Sequence, residues 1–219
     1  MITQEDIKQF ESIFSGAQKR YGLLDYYNKE TGEKDCIEKK HPIPVEKHLT
    51  QKEYLGRSPL NEDTNMCEWL GVDIDIKIPP KTFCADVWSK LGTQYFPFMT
   101  LKKQWRIIEF LDEPMDVQLA HRRAKELQKR VENELGIETD QRATCPTEPT
   151  SDGAVGRWFF LPYGQGYDTC YSPGGNPLTL QQFFFRHKYR NHPIVVCGIG
   201  IDGGGNDGSR GNHFYYVKL

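Results

Sequence analysis

Residues 68–79 read EWLGVDIDIKIP, and in this stretch β-branched residues alternate with acids. Alternation of apolar and polar residues is typical of a strand with one buried face. Asp73 and Asp75 stand two positions apart, so their carboxylates project from one face while the β-branched residues around them fill the other. The pattern predicts a buried strand that carries two neighbouring carboxylates near its end.

Such a carboxylate pair favours a divalent cation. Two carboxylates held side by side repel each other, and one of them takes a raised pKa unless a cation neutralises both. Mg²⁺ or Mn²⁺ suits the position, because these ions bind through one or two carboxylates plus substrate phosphates. A site of this kind activates a 3′-hydroxyl and stabilises a triphosphate leaving group. The alternative is a strand end whose acids are merely solvated, and the apolar flanks argue against it.

Helices and strands alternate loosely around this strand, without an internal repeat, which predicts an α+β fold around a mixed or antiparallel sheet. Capping boxes mark helix starts at Thr3 and Thr179, and a long helix is predicted from Pro114 to Leu135. Its basic face (Arg122, Arg123, Lys125, Lys129 and Arg130) is interpreted as solvated, with contact to nucleic acid as the alternative. Further strands are predicted at QWRIIEFL (104–111) and RWFFLPY (157–163), a short helix at Thr82–Leu91, and a loop or hairpin around Thr31-Gly32.

Composition limits the partners less than the motifs do. The 219 residues include 28 basic and 30 acidic ones, a formal net charge of -2, which gives no support to a nucleic-acid partner and does not exclude one. Six cysteines form no CxxC pair, so they are interpreted as free thiols in a reducing cytoplasm. No window reaches the length of a membrane span, and no membrane partner is predicted.

Three further segments carry a resemblance when taken with the strand. FESIFSGAQKRYG (10–22) and VEKHLTQKEYLGRSPLNEDTNMCEWLGVDID (45–75) are followed by GRWFFLPYGQGYDTCYSPGGNPLTLQQFF (156–184) and by GGGNDGSRGNHFYYV (203–217). In this order they resemble the primase-polymerase domain of phages and plasmids, in the archaeo-eukaryotic primase superfamily. The resemblance implies an RRM-like catalytic core with packed helices and Mg²⁺ or Mn²⁺ as cofactor. It also implies single-stranded DNA and nucleoside triphosphates as partners, with a replicative helicase as a further one.

The resemblance also assigns residues. Asp73 and Asp75 match the metal ligands of the family's first motif, and Asp140 is favoured over Glu138 and Glu148 as the third acid. Trp105 stands where the family's second motif has a histidine, and it is interpreted as a core aromatic. For His48 a backbone-bonded position in a helix remains an equal alternative to nucleotide binding. The residues assigned to nucleotide binding are His48, Arg57, Lys102, Lys103 and Arg106.

The resemblance also implies how the chain is divided into a domain and a connection. Residues 1–190 form the predicted primase-polymerase domain, with an N-terminal part at 1–65, the catalytic sheet at 66–163 and a helical region at 164–190. Residues 191–219 are interpreted as a glycine-rich connection to a following domain. Aromatics near L-P-Y offer either stacking faces for template bases or core packing: Trp158, Phe159, Tyr163, Tyr167 and Tyr171.

The leading functional prediction is a DNA primase-polymerase of phage or mobile-element replication. One alternative is a single-stranded nucleic-acid-binding replication module of the same fold that has lost its chemistry. The second alternative is a metal-dependent nuclease that uses the same two acids, which ranks last because no separate base or histidine cluster accompanies them.

Overall fold

The computed structural model describes residues 2–28, 30–31, 33–148, 156–164 and 168–191, together with the backbone of 195–197 and 215–217. In chain order the helices are α1 (Gln4–Ile13), α2 (Val45–Leu49), α3 (Pro80–Asp86), α4 (Val117–Leu135) and α5 (Leu180–Lys188). The strands are β1 (Tyr21–Tyr27), β2 (Lys34–Lys39), β3 (Leu55–Arg57), β4 (Leu60–Asn61), β5 (Met66–Ile74), β6 (Tyr95–Met99), β7 (Trp105–Asp116), β8 (Thr144–Cys145), β9 (Phe159–Phe160), β10 (Thr169–Cys170), β11 (Val195–Cys197) and β12 (Tyr215–Val217).

Two antiparallel sheets organise the described residues. The larger runs β10-β6-β7-β5-β4, with β8 added alongside β4 on the open side of β5, and the smaller runs β2-β1-β3-β9. Strands β11 and β12 pair with each other. Helices and antiparallel sheets together confirm the predicted α+β class.

Strand β5 is the centre of the larger sheet. Its side chains alternate as the sequence predicts: Leu70, Val72 and Ile74 pack with α3 and α4 in one apolar cluster. Trp69, on the opposite face, packs with residues of α1, α2 and α5 in another. Asp73 shares the Trp69 face. Helices therefore cover both faces of the sheet, and Asp73 and Asp75 lie at the C-terminal end of β5.

The helix caps follow the sequence closely. Thr3 and Asp6 form a capping box at the start of α1, and Thr179 with Gln182 forms another at α5. Helix α3 continues into a π-helical turn, Val87–Leu91, that ends at Gly92 as expected. Helix α4 starts later than predicted, because β7 stays paired with β5 as far as Asp116, whose side chain then caps the helix.

Two other expectations about elements change. RWFFLPY was expected to form one strand, but only Phe159–Phe160 pair, and they join β3 in the smaller sheet. Strand β10, beyond residue 163, joins β6 in the larger sheet. The predicted boundary of the catalytic sheet at 163 therefore does not follow the strand order. The glycine-rich segment around 198–211 lies outside the described residues, and the predicted following domain stays a prediction.

The cysteines of the described residues agree with the prediction of free thiols. Cys36, Cys67, Cys84, Cys145 and Cys170 are free, and all but Cys36 are buried. Burial raises the pKa of the Cys67 and Cys84 thiols to about 12, so these groups are inert. No helix in the described ranges is long and apolar enough to cross a membrane.

Candidate active site

Asp73 is held between two arginines. Arg106 Nε donates to its Oδ1 at 2.7 Å, and a terminal nitrogen of Arg157 donates to its Oδ2 at 3.1 Å. The Asp73 side chain is 15% exposed, Arg106 is buried, and Arg157 is 42% exposed. The pairing follows from the sheet register, in which Asp73 lies opposite Arg106 on β7. One guanidinium is therefore fixed in the protein, and the other lies at its surface.

Arg106 is the centre of a buried charge network. It also donates to the Phe160 carbonyl at 2.7 Å, lies 3.6 Å from the Asp168 carboxylate, and stacks 4.0 Å from the Phe159 ring centroid. Burial alone would lower the pKa of Arg106, but the Asp73 and Asp168 carboxylates outweigh burial and raise it. Burial raises the pKa of Asp168 to about 6 although Arg106 opposes the change. Arg106 therefore holds Asp73 in place, and the predicted nucleotide contact by Arg106 stays a prediction.

Asp75 and Asp140 border one cleft with Asp73. Asp75 follows the end of β5 and is exposed, and Asp140 lies in the turn before β8. This acidic cleft has a volume of about 670 Å³ and is lined by Asp73, Asp75, Asp140, Glu148, His121, Lys125, Arg142 and Arg157 among others. The pairing of β8 with β5 brings Asp140 near, since the Asp73 amide bonds to the Ala143 carbonyl at 2.9 Å. The three predicted acids therefore face a common space.

The donor chemistry of this cleft fits a hard divalent ion. Carboxylates from two chain segments line the cleft: Asp73 and Asp75 at the end of β5, and Asp140 before β8. Asp75 is exposed to solvent. Mg²⁺ needs only one or two protein carboxylates when substrate phosphates complete its shell. In the described part of the chain, however, no three His, Cys, Asp or Glu side chains converge closely enough to hold an ion by themselves. Asp73 and Asp75 fit as ligands, and the third position stays a prediction for Asp140.

Lys102 and Lys103 lie on the tight turn between β6 and β7. Both are exposed, and Thr100 and Gln104 close the turn through a 2.8 Å backbone hydrogen bond. Because Ile74 pairs with Trp105, this turn lies at the same end of the sheet as Asp75. The two ammonium groups are therefore free to meet an anionic ligand that approaches the acids.

His48 and Arg57 do not face the acidic cleft. His48 is fully buried: its Nδ1 accepts from the Leu55 amide at 3.2 Å, and its Nε2 lies 2.9 Å from the Pro162 carbonyl. Arg57 is buried and donates to the carbonyls of Phe14 and Ala17, each at 3.0 Å. Both side chains satisfy backbone groups of other segments. Their positions give no support to the nucleotide-binding role predicted for them, and His48 has the backbone-bonded position that was its alternative.

Trp105 is a core residue, as its interpretation predicted. It is fully buried, stacks on Phe83 with ring centroids 4.4 Å apart, and donates from Nε1 to the Ile78 carbonyl at 3.0 Å. The side chain projects to the face of β7 opposite Arg106.

The sequence does not assign three charged or titratable residues of the acidic cleft to it, namely His121, Arg142 and Arg157, and it places Lys125 only on the basic face of the long helix. His121 and Lys125 lie four residues apart on α4, a spacing that places them on one face and that a reader of the sequence can detect. Arg157 has no such signal, because its partner Asp73 lies 84 positions away in the chain. Elsewhere on the basic face of α4, Arg123 and Arg130 pair with Glu109 and Glu134.

Comparisons with known proteins yield likenesses of structure alone. No family model matches the chain, and no curated protein matches it. Among solved structures, the chain is similar to the AEP domain of the cyanophage S-2L primase-polymerase. The likeness covers 84% of this chain and 97% of that domain, at 14% sequence identity and a TM-score of 0.45. Similarity at this level transfers neither a residue role nor an activity.

Proposed function

We propose that the protein is a metal-dependent nucleotidyltransferase that condenses nucleotides on a single-stranded DNA template, as a DNA primase and polymerase. The observation that carries the proposal is the common cleft of Asp73, Asp75 and Asp140, with basic side chains at its margin. The sequence resemblance to primase-polymerase domains supplies the reaction class. Carboxylates beside cationic side chains suit a substrate that arrives as a metal-bound triphosphate.

The chain's own residues have distinct roles in this proposal. Asp75 and Asp73 hold the metal, and Arg106 fixes the orientation of Asp73 through its 2.7 Å hydrogen bond. Arg157, Lys102 and Lys103 neutralise phosphate oxygens, for which the planar guanidinium is the better-matched donor. When bound, Mg²⁺ or Mn²⁺ lowers the pKa of the attacking 3′-hydroxyl and offsets charge on the leaving group.

The test is incorporation of labelled nucleotides by the purified chain on a single-stranded template, with and without primer, in Mg²⁺ or Mn²⁺. Asp73→Ala and Asp75→Ala should abolish incorporation. The matched control is Asp63→Ala, because Asp63 is an exposed acid just before the other end of β5. Incorporation that survives both substitutions contradicts the proposal.

A second candidate is a module that binds single-stranded nucleic acid without chemistry. It is favoured by the two arginines that neutralise Asp73 and by the lack of a converged three-ligand group among the described side chains. This candidate predicts salt-dependent binding of single-stranded DNA and no incorporation with either metal. DNA degradation without added nucleotides would instead support the nuclease alternative.

A further inference from the structure

A second, smaller cleft opens on the other side of Asp73. We name it the basic cleft: it has a volume of about 250 Å³ and is lined by Lys34, Arg106, Arg157, Trp158, Phe160 and Asp73, among others. Lys34 comes from the β1–β2 hairpin of the smaller sheet, and Arg106 comes from the larger sheet. The cleft therefore lies where the two sheets meet, and Asp73 and Arg157 border both clefts.

Charge in the basic cleft is unbalanced. Three cations and one carboxylate, Asp73, line the cleft. Arg106 and Arg157 both pair with Asp73, and Arg106 also lies 3.6 Å from the buried Asp168 carboxylate. Lys34 is therefore the cation left without an ion pair among the described residues. Its ammonium instead lies 5.2 Å from the centroid of the Phe160 ring. Burial lowers the pKa of Lys34, and the charges of Arg106 and Lys102 also lower it, whereas Cys36 and Asp73 act in the opposite direction. An anion bound here would relieve this unfavourable crowding of positive charge.

Aromatic side chains form the rest of the cleft wall. Trp158 is half-buried, and its indole packs so closely on the smaller sheet that a Cβ added to Gly22 would lie 2.1 Å from its Nε1. Phe160 stacks on Tyr54 with ring centroids 4.7 Å apart. Both rings are thus fixed by packing. A rigid aromatic surface beside cations is the arrangement that binds nucleotide bases and sugars next to their phosphates.

We infer that the basic cleft binds a phosphate group of a nucleotide, with Lys34 and Arg157 as donors and Trp158 against the attached sugar or base. The cleft is smaller than the roughly 300 Å³ at which pockets for whole small molecules begin, so it holds one phosphate and its neighbour rather than a complete nucleotide. That the ligand is a nucleotide rests on the proposed function. That it is a phosphate rests on the three cations that line the cleft, Lys34, Arg106 and Arg157.

The experiment is equilibrium binding in EDTA, without divalent metal, followed by quenching of tryptophan fluorescence. The probes are deoxyadenosine triphosphate, a short single-stranded oligonucleotide, and adenosine as a phosphate-free reference. Lys34→Met keeps the aliphatic stem and removes the charge. It should weaken binding of a phosphate-bearing probe about tenfold and leave adenosine unchanged. Trp158→Phe should reduce the quenching amplitude.

Lys39→Met is the matched control, because Lys39 lies at the opposite end of the same strand from Lys34. If Lys34→Met weakens binding of the triphosphate, a free nucleotide is the source of the phosphate. If Lys34→Met weakens binding of the oligonucleotide alone, the DNA strand is the source. If Lys34→Met weakens neither, or Lys39→Met weakens both equally, the inference is overturned. A chain that never incorporates nucleotides but still shows the Lys34 effect would refute the proposed function and keep this site.

Discussion

In the proposed site, Arg157 would compete with the metal ion for Asp73. Its guanidinium lies 3.1 Å from Oδ2 and is 42% exposed, so it can leave without unfolding the site, whereas Arg106 is buried. We expect Arg157→Ala to tighten Mn²⁺ binding by about two- to fivefold, the worth of a solvent-screened ion pair. Calorimetric titration measures the change, and Arg122→Ala, at an exposed position of α4, is the charge-matched control. Unchanged or weaker Mn²⁺ binding would show that Arg157 does not occupy a ligand position.

His48 makes the stability of the fold depend on pH. Burial lowers its pKa to about 4, below the ordinary value of 6.5, so the unfolded chain takes up the proton first. Its contribution to stability is complete above pH 6.5 and is lost as pH falls from 6.5 towards 4. Between pH 7.5 and 5.5 the loss should be about 1 kcal/mol.

Urea unfolding at the two pH values tests this expectation. In His48→Gln the fall in the free energy of unfolding should be smaller than in the unaltered chain by that amount. Burial also lowers the pKa of His187 to about 4, so a remaining pH dependence is expected in the variant. An identical fall in both proteins would contradict the assignment to His48.

At the residue scale, the sequence predicts what a local period can reveal. Alternation along one strand predicts a common face for Asp73 and Asp75, and both acids line the acidic cleft. The contacts of Arg57 are not predicted, and those of His48 are predicted only as one of two equal alternatives, because both sets depend on carbonyl groups of distant segments, at Phe14 and at Pro162. Residue type alone does not distinguish a histidine or arginine that bonds buried carbonyl groups from one that binds a ligand.

The turn between β6 and β7 is the element where charge can be removed without disturbing the fold. Lys103 has a φ of 57°, a left-handed conformation that glycine adopts more easily. The double variant Lys102→Ala, Lys103→Gly should keep the melting temperature and raise the KM for nucleoside triphosphates several-fold. Steady-state extension assays measure the KM, with Lys39→Ala, Lys40→Ala at the end of β2 as the control pair. An unchanged KM would remove these lysines from the proposed phosphate contacts.

At the element scale, caps are read from sequence more reliably than strand lengths. The capping boxes at Thr3 and Thr179 form as predicted because they involve residues three positions apart. Helix α4 starts after Asp116 rather than at Pro114, because pairing between β7 and β5 extends the strand. Of the strand predicted at RWFFLPY, only Phe159–Phe160 form β9, because only those residues pair with a neighbouring strand, β3.

At the scale of the whole molecule, the chain crosses between two sheets near the site. Phe159–Phe160 belong to the smaller sheet and Thr169–Cys170 to the larger, and Arg106 links them by bonding the Phe160 carbonyl beside Asp168. The boundary predicted at residue 163 does not reflect this crossing, because strand order depends on pairing between residues far apart in the chain. The basic cleft exists only through that arrangement, so no sequence period predicts it.

The central claim is that the acids at the end of β5 bind the metal of a polymerising site. Asp75→Asn tests it most directly, because Asp75 is exposed and its substitution leaves the core untouched. Incorporation of labelled nucleotides on single-stranded DNA in Mn²⁺ should fall to background in this variant, while its unfolding midpoint matches that of the unaltered chain. Incorporation at the unaltered rate, with the fold intact, would contradict the claim.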